Sequence, residues 1–237
     1  MTSGKSKTGK IQGLNLAGLA GCRRCPRLVR YLETLPPRRG LSRADYHNAP
    51  VPGFGDPQAR VCLVGLAPGA HGANRTGRPF TGDGAGDFMY PLLFRAGFSS
   101  QPEAATADDG LELRDLYIAN AVRCVPPGNR PATAEFANCR PWLKAELAGL
   151  SRLRVVLLLG RGAFASYLQL LKAEGKIRRF GDFPFAHGEV CRPDPAGPWV
   201  VASYHTSRYN IQTGRMTEEM FLAVLEKVRI LAGGENG

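Results

Sequence analysis

A three-layer α/β/α domain around a mostly parallel four-stranded sheet is the fold class this sequence predicts, and three observations predict it. Four short apolar runs read as buried strands, helical patterns fall between or after them, and each run ends in a turn or a polar residue. Strands covered by helices on both faces read as continuous apolar runs rather than as an alternation, and these four do so.

The elements follow in order. Residues 1–13 are polar, rich in Gly, Ser and Lys, and read as a disordered basic tail. The first strand runs Val61–Ala67 and a helical pattern follows near Gly86–Ala96. The second strand, Leu116–Val122, precedes a helix near Thr133–Leu150. The third, Val155–Gly160, leads into a helix near Gly162–Leu171, and residues 172–198 form a basic connection punctuated by Pro and Gly. The fourth, Trp199–Tyr204, is followed by a last helix over Thr217–Leu231. Residues 14–232 therefore read as one domain and 233–237 as a fraying tail. Open parallel sheets collect ligands at the carboxyl ends of their strands, and here those ends carry the unusual residues: Gly65-Leu66-Ala67-Pro68-Gly69, Asn120 and His205.

Composition narrows the class of partner. The chain has 237 residues, 43% of them hydrophobic, so it buries a full core and lies near the upper size of one domain. Its formal net charge of +11 calls for a polyanionic partner, and nucleic acid is the commonest, because phosphates reward Lys and Arg by releasing counterions. Ribosomal proteins and membrane-surface binders share that signature, so charge names a partner and not a function. No apolar run approaches the ~20 residues of a spanning helix, which excludes an integral membrane protein of that kind. Six cysteines are too few for a disulfide scaffold, and a reducing cytoplasm fits them best. Leu19-Ala20-Gly21-Cys22 looks like a lipoprotein cleavage box, but the stretch before it is short and carries Gln12 and Asn15, a poor apolar core for a signal peptide.

Four of the cysteines are paired by spacing. Cys22 and Cys25 form C-x2-C, Cys124 and Cys139 form C-x14-C, and the set predicts one closed metal or cluster site that ties the N-terminal arm to the core. Spacing alone does not separate zinc from an iron–sulfur cluster. Cys62 and Cys191 lack such a relation.

Three segments carry the remaining chemistry. Residues 65–83 follow a strand and contain five glycines, so backbone can approach a ligand closely. The segment lacks the lysine of a phosphate loop and the spacing of a dinucleotide fingerprint, but it packages His71, Asn74, Arg75 and Phe80 between turns. Asn120 ends a buried strand, where an unpaired polar side chain costs about 1–3 kcal/mol, and its amide offers donors and an acceptor to another amide edge. Tyr204-His205-Thr206-Ser207-Arg208-Tyr209-Asn210 brings a histidine, hydroxyls, an arginine and aromatics into one loop, a set that donates to a leaving oxygen, contacts phosphate and wedges a ring between bases.

With these motifs the chain resembles the iron–sulfur uracil-DNA glycosylases, most closely the branch called family 5 or type B, from Cys22 to about Met216. The first motif of the family is matched by G-L-A-P-G-A-H-G-A-N-R-T-G-R-P-F-T-G-D, the middle one by N-A-V-R-C and the last by H-T-S-R-Y-N. The resemblance implies a [4Fe–4S] cluster on Cys22, Cys25, Cys124 and Cys139, and removal of uracil first, with hypoxanthine, xanthine or modified pyrimidines as further bases. It implies a monomer acting on damaged DNA, duplex or single-stranded, with free uracil as product and no membrane partner. A base taken out of the duplex would sit among Gly65, Ala67, Pro68, Gly69 and Phe80, read by Asn120, with His205 donating to its departing O2 and with Arg75, Ser207, Arg208 and Tyr209 on the DNA. Relatives in other branches hold the attacking water with a polar side chain where Ala67 stands here, so the water would fall to His71, Asn74 or main-chain carbonyls. Thr206 replaces the proline of many relatives. Two readings compete: a non-enzymatic nucleic-acid-binding protein with a metal knot, and a glycosylase relative that traps abasic sites covalently.

Overall fold

The computed structural model describes residues 16–233; the tail expected over 1–13 and residues 234–237 lie outside the described residues. Strands are β1 Phe54–Gly55, β2 Val61–Gly65, β3 Leu116–Asn120, β4 Val155–Leu159, β5 Val190–Cys191 and β6 Trp199–Ser203. Helices are α1 Pro26–Thr34, α2 Ala73–Thr76, α3 Gly84–Arg95, α4 Thr133–Gly149, α5 Arg161–Ala173, α6 Arg208–Gln212 and α7 Glu218–Leu231.

The sheet order is β1-β3-β2-β4-β6-β5. Its inner four strands are parallel and are the four expected runs, each one or two residues shorter at its carboxyl end than the apolar pattern suggests, while β1 and β5 add antiparallel edges. The four-stranded expectation is thus corrected to six. Edge strands of two residues are too short to carry a periodicity, so no sequence pattern marks them.

Alternation along the inner strands sends side chains to two cores. Leu63, Ile118, Leu157 and Val201 face α3 and α7, packing on Leu92, Leu93, Phe221 and Val224. Cys62, Val64, Ala119 and Leu158 face α4 and α5, packing on Leu143, Phe164 and Leu168. This is the three-layer arrangement expected, with every residue of β2, β3 and β4 buried. A third, smaller core holds α1: Leu28, Leu32 and Leu35 pack with Val122, Val125 and three cysteines beside the end of β3. Pro26, at the first position of α1, supplies a preset φ for the turn out of Cys25.

Candidate active site

The first wall of the site is the segment after β2, held to the middle motif by an extension of the sheet pairing. Ala121 donates to the Gly65 carbonyl at 2.9 Å and Val122 to that of Leu66 at 3.0 Å. A side chain at position 65 could not fit: a Cβ there would stand 2.5 Å from Asn120 Oδ1 and 2.6 Å from the Phe80 ring. Glycine at 65 is what lets Asn120 and Phe80 close over the strand end.

Phe80 takes the left-handed conformation (φ 52°), which costs a non-glycine residue free energy and persists only where neighbours hold it. Three contacts do so. Arg78, itself buried, forms a two-pronged ion pair with Asp109 at 2.8 and 2.6 Å and donates to Thr81 Oγ1 at 2.9 Å. The Tyr90 hydroxyl donates to the Pro79 carbonyl at 3.1 Å, and the Asp83 side chain caps α3 by accepting from Ala85 and Gly86. The strained ring is therefore aimed by fixed groups on both sides.

The opposite wall is the loop after β6. Asn210 Nδ2 donates to the His205 carbonyl at 2.8 Å, and Ser207 caps α6 through Asn210 N at 3.4 Å. Gly160, with φ 87°, passes close enough that a Cβ would lie 3.3 Å from that of His205. His205 is packed 6.1 Å from Phe80, ring centroid to centroid, at an interplanar angle of 31°. Burial pushes its imidazole pKa down, so the ring is neutral at pH 7.

Between these walls lies a cavity of about 340 Å³, lined by Ala67, Gly69, Phe80, Asn120 and His205 together with Asp83, Ser207 and Arg208. That volume falls in the range of small-molecule sites, roughly 300–1,000 Å³. Two residues that line it each carry a buried polar atom with no partner among the described residues, Asn120 Oδ1 and His205 Nδ1. Uncompensated polar atoms are costly inside a protein, and two of them on residues that line one cavity suit a ligand that satisfies them.

The other expected residues fall elsewhere. Gly65 lies behind Asn120 and Phe80, and Pro68 is buried, without lining the cavity. His71 Nδ1 is 2.7 Å from the Tyr46 hydroxyl, Asn74 Nδ2 donates to Asn48 Oδ1 at 3.2 Å, and Arg75 Nε donates to the His71 carbonyl at 3.0 Å; none of the three lines the cavity. Tyr209 projects from α6 with 70% of its surface exposed, near Arg208 at the cavity edge. Sequence reasoning missed Asp83 and Asn129. Asp83 reads as a helix cap, which it is, and Asn129 lies in a Pro- and Gly-rich loop whose left-handed turn (φ 56°) carries it to the cavity.

The four paired cysteines meet. Cys22, Cys25, Cys124 and Cys139 line one small cavity with Arg123 and Trp142, and Cys25, Cys124 and Cys139 are buried. Arg123 N donates to Cys139 Sγ at 3.4 Å and Asn138 Nδ2 to Cys25 Sγ at 3.5 Å. Burial, reinforced by the other three cysteines, pushes the Cys124 thiol up to about 12, so thiolates here need a compensating positive centre. Among the described residues no three His, Cys, Asp or Glu side chains are grouped to hold a single metal ion.

Comparison with known proteins agrees with this geometry. The sequence model of the uracil DNA glycosylase superfamily matches residues 52–229. A type-5 uracil-DNA glycosylase of Thermus thermophilus is 51% identical over 216 residues, covering 91% of this chain and 95% of that protein. One from Pyrobaculum aerophilum is 45% identical over 215 residues, 91% of each chain. A type-4 uracil-DNA glycosylase of Archaeoglobus fulgidus is 34% identical over 158 residues, 65% of this chain and 69% of that one. The chain belongs to the uracil-DNA glycosylase superfamily.

Proposed function

We propose that this member of the superfamily is a DNA-repair enzyme that takes uracil out of duplex DNA and hydrolyses its N-glycosidic bond, leaving an abasic site. It is a hydrolase of N-glycosyl bonds. The observation that carries the reading is that Asn120 and His205, each with a buried polar atom unpartnered among the described residues, line one cavity with Phe80.

The mechanism follows from that placement. The extruded base lies against Phe80 and the Asn120 amide reads its pyrimidine edge. As the glycosidic bond breaks, charge gathers on the base, and donors aimed at its O2 matter most. His205 is that donor, and as a neutral imidazole it stabilises the departing anion by a hydrogen bond without passing it a proton. Among the described residues no lysine lines the cavity, and the reading is therefore of a monofunctional enzyme that forms no Schiff base. Arg208, Ser207 and the exposed Tyr209 face the DNA, Arg75 contributes charge nearby, and Tyr209 supplies the ring for the vacated stack. Alanine at 67 removes one polar group from the pocket, and each such loss weakens the rejection of analogues, so hypoxanthine and xanthine follow uracil as substrates.

The cysteine cavity fits an iron–sulfur cluster. Its four thiols line one common cavity, and four cysteine thiolates are the donor set that such a cluster takes. Cys22, Cys25, Cys124 and Cys139 would hold a [4Fe–4S] group that fastens the arm bearing α1 to the loop leading to α4 and takes no part in base release. The protein acts as a monomer in the cytoplasm, and among the described residues no helix is long and apolar enough to cross a membrane.

Release of free uracil from a duplex with one deoxyuridine tests the reading, with iron analysis and absorbance near ~400 nm testing the cluster. No release at any enzyme excess would favour a metal-knot binding protein, an adduct surviving denaturation would favour the covalent trap, and stoichiometric zinc without iron would exclude the cluster.

A further inference from the structure

The cysteine cavity is walled by more than its thiols. Arg24 and Arg123 line it, and among the described residues no carboxylate does. Arg123 is 1% exposed, and its Nη2 pairs with Glu146, whose Oε1 also accepts from Gly53 N at 2.9 Å and from the Tyr117 hydroxyl at 3.2 Å. Arg123 lines the cavity and Glu146 does not, so the member of the pair that belongs to the wall is the cation. Nε and Nη1 of Arg123 are buried without a partner among the described residues, and so is Nε1 of Trp142, another residue of the wall. Three idle N–H donors therefore sit on two residues around one cavity. Buried donors of that kind are costly unless something fills them, and donors beside a positive charge suit an anion.

We propose that Arg123 and Trp142 form a second layer around the cluster, their idle N–H groups donating to its sulfurs and the Arg123 charge offsetting its own, so that they retain it and raise its reduction potential. This rests on the cluster reading above. A [4Fe–4S] core on four thiolates is a net anion, and gaining an electron makes it more so. Hydrogen bonds to sulfur and a buried cation therefore favour the electron-rich member of a couple. The protein already donates to two of the thiols, from Arg123 N to Cys139 Sγ at 3.4 Å and from Asn138 Nδ2 to Cys25 Sγ at 3.5 Å. Glu146, held by Gly53 and Tyr117, fixes the guanidinium where it stands. Glu135, a carboxylate whose field reaches Cys25 and Cys124, is matched by Arg27 at 2.8 and 2.7 Å, so it leaves the Arg123 charge standing.

The experiment is voltammetry of the iron-loaded full chain on an electrode, with iron counted per protein, for wild type, Trp142→Phe and the double variant Arg123→Met with Glu146→Gln. The double variant removes the ion pair as a unit and leaves no buried carboxylate unpaired, while Trp142→Phe leaves that pair untouched and deletes one donor. The double variant is expected to hold its electron ~10-fold less tightly, which is ~59 mV toward lower potential for a one-electron couple, and Trp142→Phe ~3-fold less tightly. Iron should pass to a chelator ~10-fold faster from the double variant. A merely structural role would speed that loss of iron and leave the couple of the intact fraction where it was. A couple unmoved by both substitutions, or none within reach of the electrode in wild type, would overturn the inference and leave the cluster reading intact. Stoichiometric zinc without iron in wild type would overturn both.

Discussion

The two ends of the parallel sheet are built on opposite principles. At the amino ends a polar network around Asp115 is matched group to group. Asp115, in the left-handed region at φ 54°, accepts from Arg60 N and Arg60 Nε at 2.8 Å each, its own N–H donates to Asp56 at 3.1 Å, and Arg60 Nη1 donates to the Ala232 carbonyl at 3.1 Å. At the carboxyl ends polar atoms are left waiting: among the described residues Asn120 Oδ1, His205 Nδ1 and Thr206 Oγ1 are buried without partners, and Phe80 is strained. Satisfied strain at one end serves stability, and unsatisfied polarity at the other is what a substrate completes.

That contrast is open to attack. The largest effect should come from Asn120→Ala, which lowers single-turnover release of uracil by about 10²–10³, the cost of a lost preorganised contact, and slows hypoxanthine release less because the amide reads a pyrimidine edge. The unfolding midpoint in denaturant should hold or rise, since an unpaired buried oxygen is removed. Equal losses on both bases would break the edge-reading part of the comparison.

At the other end Asp115→Ala should reverse the pattern. It removes a half-buried ion pair and leaves backbone donors unmatched, so urea unfolding should show a loss of about 1–3 kcal/mol with the rate of base release unchanged. A fall in rate without a fall in stability would erase the distinction between the ends.

Smaller still is the pH effect on stability. Burial holds His205 and His187 below the usual 6.5, so the folded state binds fewer protons than the unfolded chain once pH drops below that value. Their share of stability is fully present above 6.5 and is lost as pH falls through their folded values; His205→Gln should make the acid side of the stability curve shallower. Release should also weaken steeply with added salt, as befits a chain of net charge +11 that holds phosphates.

Much of this was legible in the sequence because the inner strands are buried on both faces and their apolar runs are unbroken. Asn120 and His205 stood out as polar residues closing such runs. The edge strands were hidden for a physical reason, since β1 and β5 are two residues long, whereas α1 was legible in principle, because Leu28 and Leu32 stand four residues apart on its one buried face. Asp83, which lines the cavity, was hidden because capping α3 explains it locally. His71 and Asn74 are the reverse case, polar residues in a ligand-like motif whose side chains brace Tyr46 and Asn48.

The central claim is that departure of the base is driven from the loop after β6. Single-turnover uracil release by His205→Ala, set against His71→Ala and Asn74→Ala with each fold checked by its cluster absorbance, measures it directly. The account predicts a loss of about 10²–10³ for His205→Ala and much smaller losses for the other two. A near wild-type rate for His205→Ala, with release abolished in His71→Ala or Asn74→Ala, would contradict it.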